Sequence, residues 1–306
     1  MKKFAMISLI TAGVMFALGL GLLTIGGVTG GIQLIADFSV NGVESLVEKF
    51  GGIVNVVPEN FIPEEVKAEY NEAYPIIQGG SVNNMQICTR DEVTDVKICI
   101  MSGDLEIESV GGTDYFGVDW EGLGRFQYYV EDGTLYVIST ENFGDTTVFV
   151  PEDMICESYT IAAAASNIDA DVIKAEEVLF YIGMSEVSID TLEADSLTME
   201  AGKCNFEIEK GNVGECVMTY DTSDIGYSGS FSGNVEVTGS MGNLEFELWG
   251  DSDQYNYFIH STMGSVDMPG YHVVGFTQNK TVDNNAGKDM TLTSSMGNIE
   301  VDFMVE

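Results

Sequence analysis

One ten-residue phrase is written eight times along this chain, and it restricts the possible folds more than any other feature. Its last copy is LTSSMGNIEV, Leu292 to Val301. Earlier copies open at Ile259 (IHSTMGSVDM), Val237 (VTGSMGNLEF), Cys216 (CVMTYDTSDI), Leu197 (LTMEAGKCNF), Val178 (VLFYIGMSEV), Ile161 (IAAAASNIDA) and Ile98 (ICIMSGDLEI). Each opens on an apolar residue or cysteine and closes on an apolar one. Between them it turns on Gly103, Ser166, Gly183, Gly202, Asp221, Gly242, Gly264 or Gly297. From Ile161 onward the starts are 17, 19, 19, 21, 22 and 33 residues apart. A near-constant step with no helical pattern is the signature of a structural repeat in which no unit buries its apolar face alone.

Within a copy, apolar and polar residues alternate, as in Leu244-Glu245-Phe246 and Ile299-Glu300-Val301, which is the two-residue period of a half-buried strand. These features predict an all-β fold: a parallel, right-handed β-helix-like solenoid of about 19–22-residue rungs. The glycines permit the positive φ that a corner requires, and Asp221 tolerates it better than most residues. The strand-like segments Ile98–Ile107, Gly124–Val130, Leu135–Ser139 and Thr146–Val150, with a hairpin turn at Asp132-Gly133, read as an amino-terminal cap. The predicted repeat domain is 81–306, with cap and first strands over 81–157 and regular rungs over 158–306. The stretch 269–289 is a long insertion, where partners are expected to bind.

The first 36 residues differ sharply. Lys2 and Lys3 precede 33 residues, Phe4 to Ala36, without a charge, enough for a membrane-crossing helix of ~20 residues. A cleaved signal peptide is the alternative, but the run is long for one and no clear cleavage site follows. All 49 acidic residues lie at or beyond Asp37. That asymmetry predicts a single-pass anchor over 1–36 with a cytoplasmic amino terminus and an extracytoplasmic remainder. Over 37–80, Val40, Val43, Leu46, Val47 and Phe50 predict a juxtamembrane amphipathic helix, and Pro58, Pro63 and Pro75 a stalk. A net charge of −37 opposes binding to nucleic acid or anionic lipid headgroups.

GTLYV at Gly133–Val137, TVFVP at Thr147–Pro151 and the terminal LTSSMGNIEVDF resemble the bacterial putative-adhesin family, over roughly Ser81 to Glu306. The resemblance implies an outward-facing β-strand-repeat solenoid of the cell envelope. It implies no catalytic or binding residues, since the family has no established set.

Six carboxylates and one amide recur eight residues into the copies: Asp169, Glu186, Asn205, Asp224, Glu245, Asp267 and Glu300. Stacked in register ~4.8 Å apart, they would form an outward ladder that is either solvated or neutralised by cations such as calcium. No nonapeptide calcium repeat or EF-hand loop accompanies it. A solvated polar face is the stronger reading, and no cofactor is expected. Catalysis is not expected either: the acids are evenly spread, neither His260 nor His272 sits in a nucleophile motif, and only GGTDYFGVDWEG at Gly111–Gly122 could line a sugar site. Met241, Met263 and Met296 flank the turning glycines and read as core or corner filler. Cys88, Cys99, Cys156, Cys204 and Cys216 read as buried thiols, although Cys88 and Cys99 could face one another across a hairpin. The expected function is a binding or structural module of the envelope, with an unknown envelope protein or polysaccharide as partner. A stress-sensing scaffold and a carbohydrate-active enzyme are the alternatives.

Overall fold

The computed structural model describes residues 70–139 and 144–304, within one compact unit, Val57–Glu306. Eleven strands form one sheet: β1 (Ile77–Thr89), β2 (Asp95–Val110), β3 (Tyr115–Glu131), β4 (Thr134–Ser139), β5 (Gly144–Pro151), β6 (Cys156–Thr222), β7 (Asp224–Phe231), β8 (Val235–Trp249), β9 (Tyr255–Met268), β10 (Tyr271–Val282) and β11 (Lys288–Met304). The 67 residues of β6 would span roughly 220 Å if straight. Instead β6 bends at corners and returns alongside itself: the Ser166 amide donates to Ser185 Oγ at 3.2 Å, 19 residues on. Among the described residues the elements besides strands are two 3-10 turns, Arg90–Glu92 and Ser252–Gln254, so the sheet covers its own apolar face.

The phrase read from the sequence sets much of the pairing. Ile98 lies beside Ile161, and Val237 and Ile259 lie on either side of Leu292, all in parallel and all buried. These residues feed one core that runs from Val82 to Val301 and is filled by Phe180, Phe206, Phe231 and Phe246. Burying a side chain of this size stabilises by about 1.5–3 kcal/mol.

Three copies are placed differently from the sequence alignment. In the one opening at Val178, Gly183 lies against Ala164 and the corner beside Ser166 is Ser185. Met218, not Cys216, stands beside Val237, and Tyr220 stands beside Gly239. The corner of that copy is therefore Ser223, whose backbone lies against Gly242, and not Asp221. The preceding copy turns at Cys204, whose amide bonds Ser223 Oγ at 3.1 Å, and not at Gly202. Each shift is two residues, and a two-residue slip preserves the alternation of buried and exposed positions. Hydropathy alone cannot detect it.

The architecture departs from the predicted parallel, right-handed solenoid behind two helices. The sheet is mixed and closes as a barrel- or sandwich-like body, with strand order β1-β3-β4-β2-β6-β7-β8-β11-β9-β10 and β5 bridging β2 and β3. Strands are not stacked in chain order, since β11 lies between β8 and β9. The cause is the stretch read as an insertion. Much of it is β10, which folds back antiparallel on β9, so that the chain re-enters on the other side of β9. Antiparallel pairs also form the opposite end, where β3 lies against β1, β4 and β5. The Asp132-Gly133 turn joins β3 to β4, with φ of 49° and 83° as such a hairpin requires.

Among the described residues no helix is long and apolar enough to cross a membrane. The predicted anchor over 1–36 and the juxtamembrane helix read within 37–50 lie outside the described residues. The end of the segment read as a stalk is packed on β3. Tyr70 donates to Arg125 O at 2.6 Å, Gln127 Nε2 donates to Asn71 O at 2.7 Å, and Tyr74 stacks on Tyr129 with centroids 4.4 Å apart.

Candidate functional site

The corner that follows each copy's first strand gathers the chain's outward-facing chemistry. Where the corner is Gly103, Gly242, Gly264 or Gly297, φ lies between 112° and 147°. A Cβ on Gly297 would stand 1.6 Å from Gly242 O, and one on Gly264 would stand 1.7 Å from Gly297 O. Only glycine allows these backbones to approach so closely in that conformation.

One residue past the corner runs a hydrogen-bonded ladder of amides with carboxylates and one hydroxyl. Asn167 Nδ2 donates to Asp104 Oδ1 at 2.9 Å, and the Asn243 amide and Nδ2 donate to Asp224 Oδ1 at 2.9 and 2.7 Å. Asn298 Nδ2 donates to Asn243 Oδ1 at 2.8 Å, and Ser265 Oγ to Asn298 Oδ1 at 2.6 Å. Two residues further runs a separate row in which Glu300 stands between Glu245 and Asp267, with Gly226 beyond Glu245.

The predicted single carboxylate ladder is thus divided between two rows. Asp224 and Asn205 stand side by side in the first. Glu245, Glu300 and Asp267 stand together in the second, while Asp169 stands in the same row far along the sheet beside Glu106. Glu186 lies on the same outer surface, lining a shallow hollow of about 370 Å³ with Asp104 and Asn167. All six predicted carboxylates are exposed. Desolvation first, and then Glu245, Asp302, Asp267 and Glu247, raise the Glu300 carboxyl above the ordinary range. His272 Nδ1 lies 2.9 Å from Asp267 Oδ2. Among the described residues no three His, Cys, Asp or Glu side chains converge as metal ligands. In the segment Gly111–Gly122, Phe116 and Trp120 are buried, with Trp120 stacked on Phe126 at 4.9 Å, and Tyr115 is half-buried. All five cysteines are buried thiols. Burial first, and then Asp95, pushes Cys156 up to about 12, and burial with Glu92 pushes Cys88 up to about 11.

The methionines beside the corner glycines are not filler. Met241 pairs with Met296, Met296 with Met263, and Met263 with Phe276 on β10. The three methionines are 41–45% exposed, and Phe276 is 78% exposed. This is an outward apolar row across four adjacent strands, with Val274, 70% exposed, beside its end. Sequence reading singled out the insertion and the methionines but not Val274 or Phe276. The available signal was that Met268 to Val282 carries no acidic residue in a chain of net charge −37.

Neither a family model nor a curated protein matches this chain. Several solved structures are similar to it. A putative cell adhesion protein from Clostridium sporogenes is 13% identical, covering 71% of this chain and 97% of its own at a TM-score of 0.33. A putative adhesin from Bacteroides fragilis is 9% identical, covering 75% and 97% at 0.39. A putative lipid binding protein from Parabacteroides distasonis is 10% identical, covering 75% and 98% at 0.40. Two of these names agree with the family resemblance read from the sequence. At such identities and scores, no property of this chain follows from them.

Proposed function

We propose that this chain is a non-catalytic binding module of the bacterial cell envelope, held at the membrane by residues 1–36 with its β-sheet unit on the extracytoplasmic side. The observation that carries the binding reading is β10, the last strand of the sheet, which presents Val274 and Phe276 to solvent without an acidic residue along its length. Large exposed apolar side chains grouped on one edge mark contact surfaces rather than chance exposure. The outward orientation rests on Lys2 and Lys3 before the uncharged run and on the wholly acidic balance after it. The non-catalytic reading is supported by the exposure of the ladder carboxylates and the burial of Trp120 and Phe116.

The test is capture from native envelope membranes by the full chain and by Val274→Lys/Phe276→Lys. Deleting the whole 269–289 stretch is a poor test. Lys288 donates to Phe231 O at 2.9 Å, and Asn256 Oδ1 accepts the amides of Asn284 and Ala286, so the end of that stretch is part of the packing. A partner bound by the native chain and released by the double substitution supports the reading. Equal capture by both places binding elsewhere and removes β10 from it.

A further inference from the structure

The two edges of the sheet are unequal, and the difference identifies what β10 is suited to meet. β1 forms one edge and β10 the other. The pairing of β1 with β3 is broken by three register shifts, and Gly79, Gly80 and Asn84 on β1 have positive φ. An edge bent that way resists further pairing, which is how natural sheets protect themselves. β10 also has positive φ, at Gly275 and Thr277, but it keeps one register along β9 from Tyr271 to Val282 with no shift. Among the described residues nothing pairs with its other side.

We propose that β10 pairs antiparallel with β10 of a second copy of this chain, forming a symmetric dimer through this edge. The inference rests on the reading of β10 as the binding surface and names its partner.

Charge selects the edge. Two copies that each carry −37 repel over most of their surfaces, but Met268 to Val282 contains no acid and includes Lys280. Apposition there sets no carboxylate directly against another. Symmetry selects the partner. An antiparallel strand can pair with its own copy about a twofold axis, giving a self-complementary interface that closes at two subunits. With the axis at Phe276, the two Phe276 side chains meet. The row Met241, Met296, Met263 and Phe276 then continues into the same four residues of the other copy in reverse order. An apolar stripe that ends abruptly at a sheet edge becomes a continuous one. Main-chain hydrogen bonds along the edge supply affinity, and the exposed side chains supply register.

The experiment uses the full chain in detergent and follows its mass by sedimentation at a series of concentrations. Native protein should sediment with twice the monomer mass, and Val274→Lys/Phe276→Lys with the monomer mass. Both positions are largely exposed, so the substitutions leave the core intact. A second measurement needs no loss of folding or affinity. Directly opposed residues of an antiparallel pair lie about 4.5–5.5 Å apart at Cα, within reach of a disulfide. Because the five native thiols are buried, Phe276→Cys should give a chain-to-chain disulfide on mild oxidation in native membranes, whereas Leu123→Cys, exposed on β3, should not. A monomeric native chain, or a dimer unchanged by the double substitution with no Phe276→Cys link, overturns the proposal. A Phe276→Cys link to a different protein keeps β10 as a binding surface and eliminates self-pairing. No link to any protein removes both readings.

Discussion

Replacing Gly297 with alanine tests the central packing argument, because Gly297 lies between Gly242 and Gly264 at the corner where β8, β11 and β9 come together. Two costs arise. Gly297 has φ of 147°, a region that residues with a Cβ enter at a cost of about 1–3 kcal/mol. The new Cβ would also stand 1.6 Å from Gly242 O and 2.7 Å from its carbonyl carbon. These are backbone atoms, so relief requires moving β11 away from β8, and overpacking of this kind costs about 1–3 kcal/mol. Together the loss is about 2–6 kcal/mol, against a usual total of about 5–15 kcal/mol. Urea unfolding followed by circular dichroism should show a midpoint lower by about 1 M or more, given a slope of about 1–3 kcal/mol per molar. Two controls separate the costs. Gly270→Ala carries positive φ, 73°, with open space around its Cβ, so it should lose only the conformational part. Gly287→Ala has open space and no positive φ, and should fall within about 0.5 kcal/mol of native. If Gly297→Ala costs no more than Gly270→Ala, the close approach of backbones at the corner does not hold the sheet together, and the reasoning fails.

Phe246→Ala should cost about 3–5 kcal/mol, since the side chain is fully buried against Tyr227 and Phe231, and a loss under 1 kcal/mol in the same urea assay would contradict the core described. Thiol titration of the native chain at pH 8 should find almost no fast-reacting groups, and the unfolded chain should show five; rapid native reaction of Cys156 or Cys88 would contradict their burial and raised pKa. Glu300 and Glu108 are both raised, by desolvation first and then by neighbouring carboxylates, so the folded state holds their protons more tightly than the unfolded state does. Their contribution is fully present below the ordinary value of 4.5 and is lost as pH rises through the higher folded value. The melting temperature should therefore rise as pH is lowered from 7 towards 4.5, and also on adding salt at pH 7, which screens the acid rows; a fall in either scan refutes this.

Much of the strand content was legible in advance because alternation records which side of a strand is buried. The residues that open the copies, Ile98, Ile161, Val178, Leu197, Cys216, Val237, Ile259 and Leu292, are apolar or cysteine in sequence, and each is buried. The glycine corners at 103, 242, 264 and 297 were legible for a similar reason, since a required positive φ leaves a residue-type signature. The copies at Val178, Leu197 and Cys216 were misaligned because serine or cysteine, at Ser185, Cys204 and Ser223, stands in place of glycine at their corners. Ser223 hydrogen-bonds the Cys204 amide and Gly202 O on one side, while its backbone lies against Gly242 on the other. Once those three copies slid by two residues, residues of two distinct rows merged into one carboxylate ladder. The split into two rows could be seen only when neighbouring strands were in place.

What the sequence determined by itself was local: which residues face inward, where the chain turns, and how strongly acidic the outer surface is. Each is set by side-chain hydropathy, backbone sterics or charge within a few residues. The tertiary structure decided which strands are neighbours. Nothing within Pro269 to Asp289 announces that its first part turns back along β9 and that β11 then enters between β8 and β9. That choice depends on long-range pairing energies, where many arrangements satisfy the same alternation and only one fills the core. It also decided that the apolar side chains of Val274 and Phe276 on β10 face solvent. Phe276 is an ordinary strand residue in sequence, and it becomes a surface feature because β10 is last in the sheet.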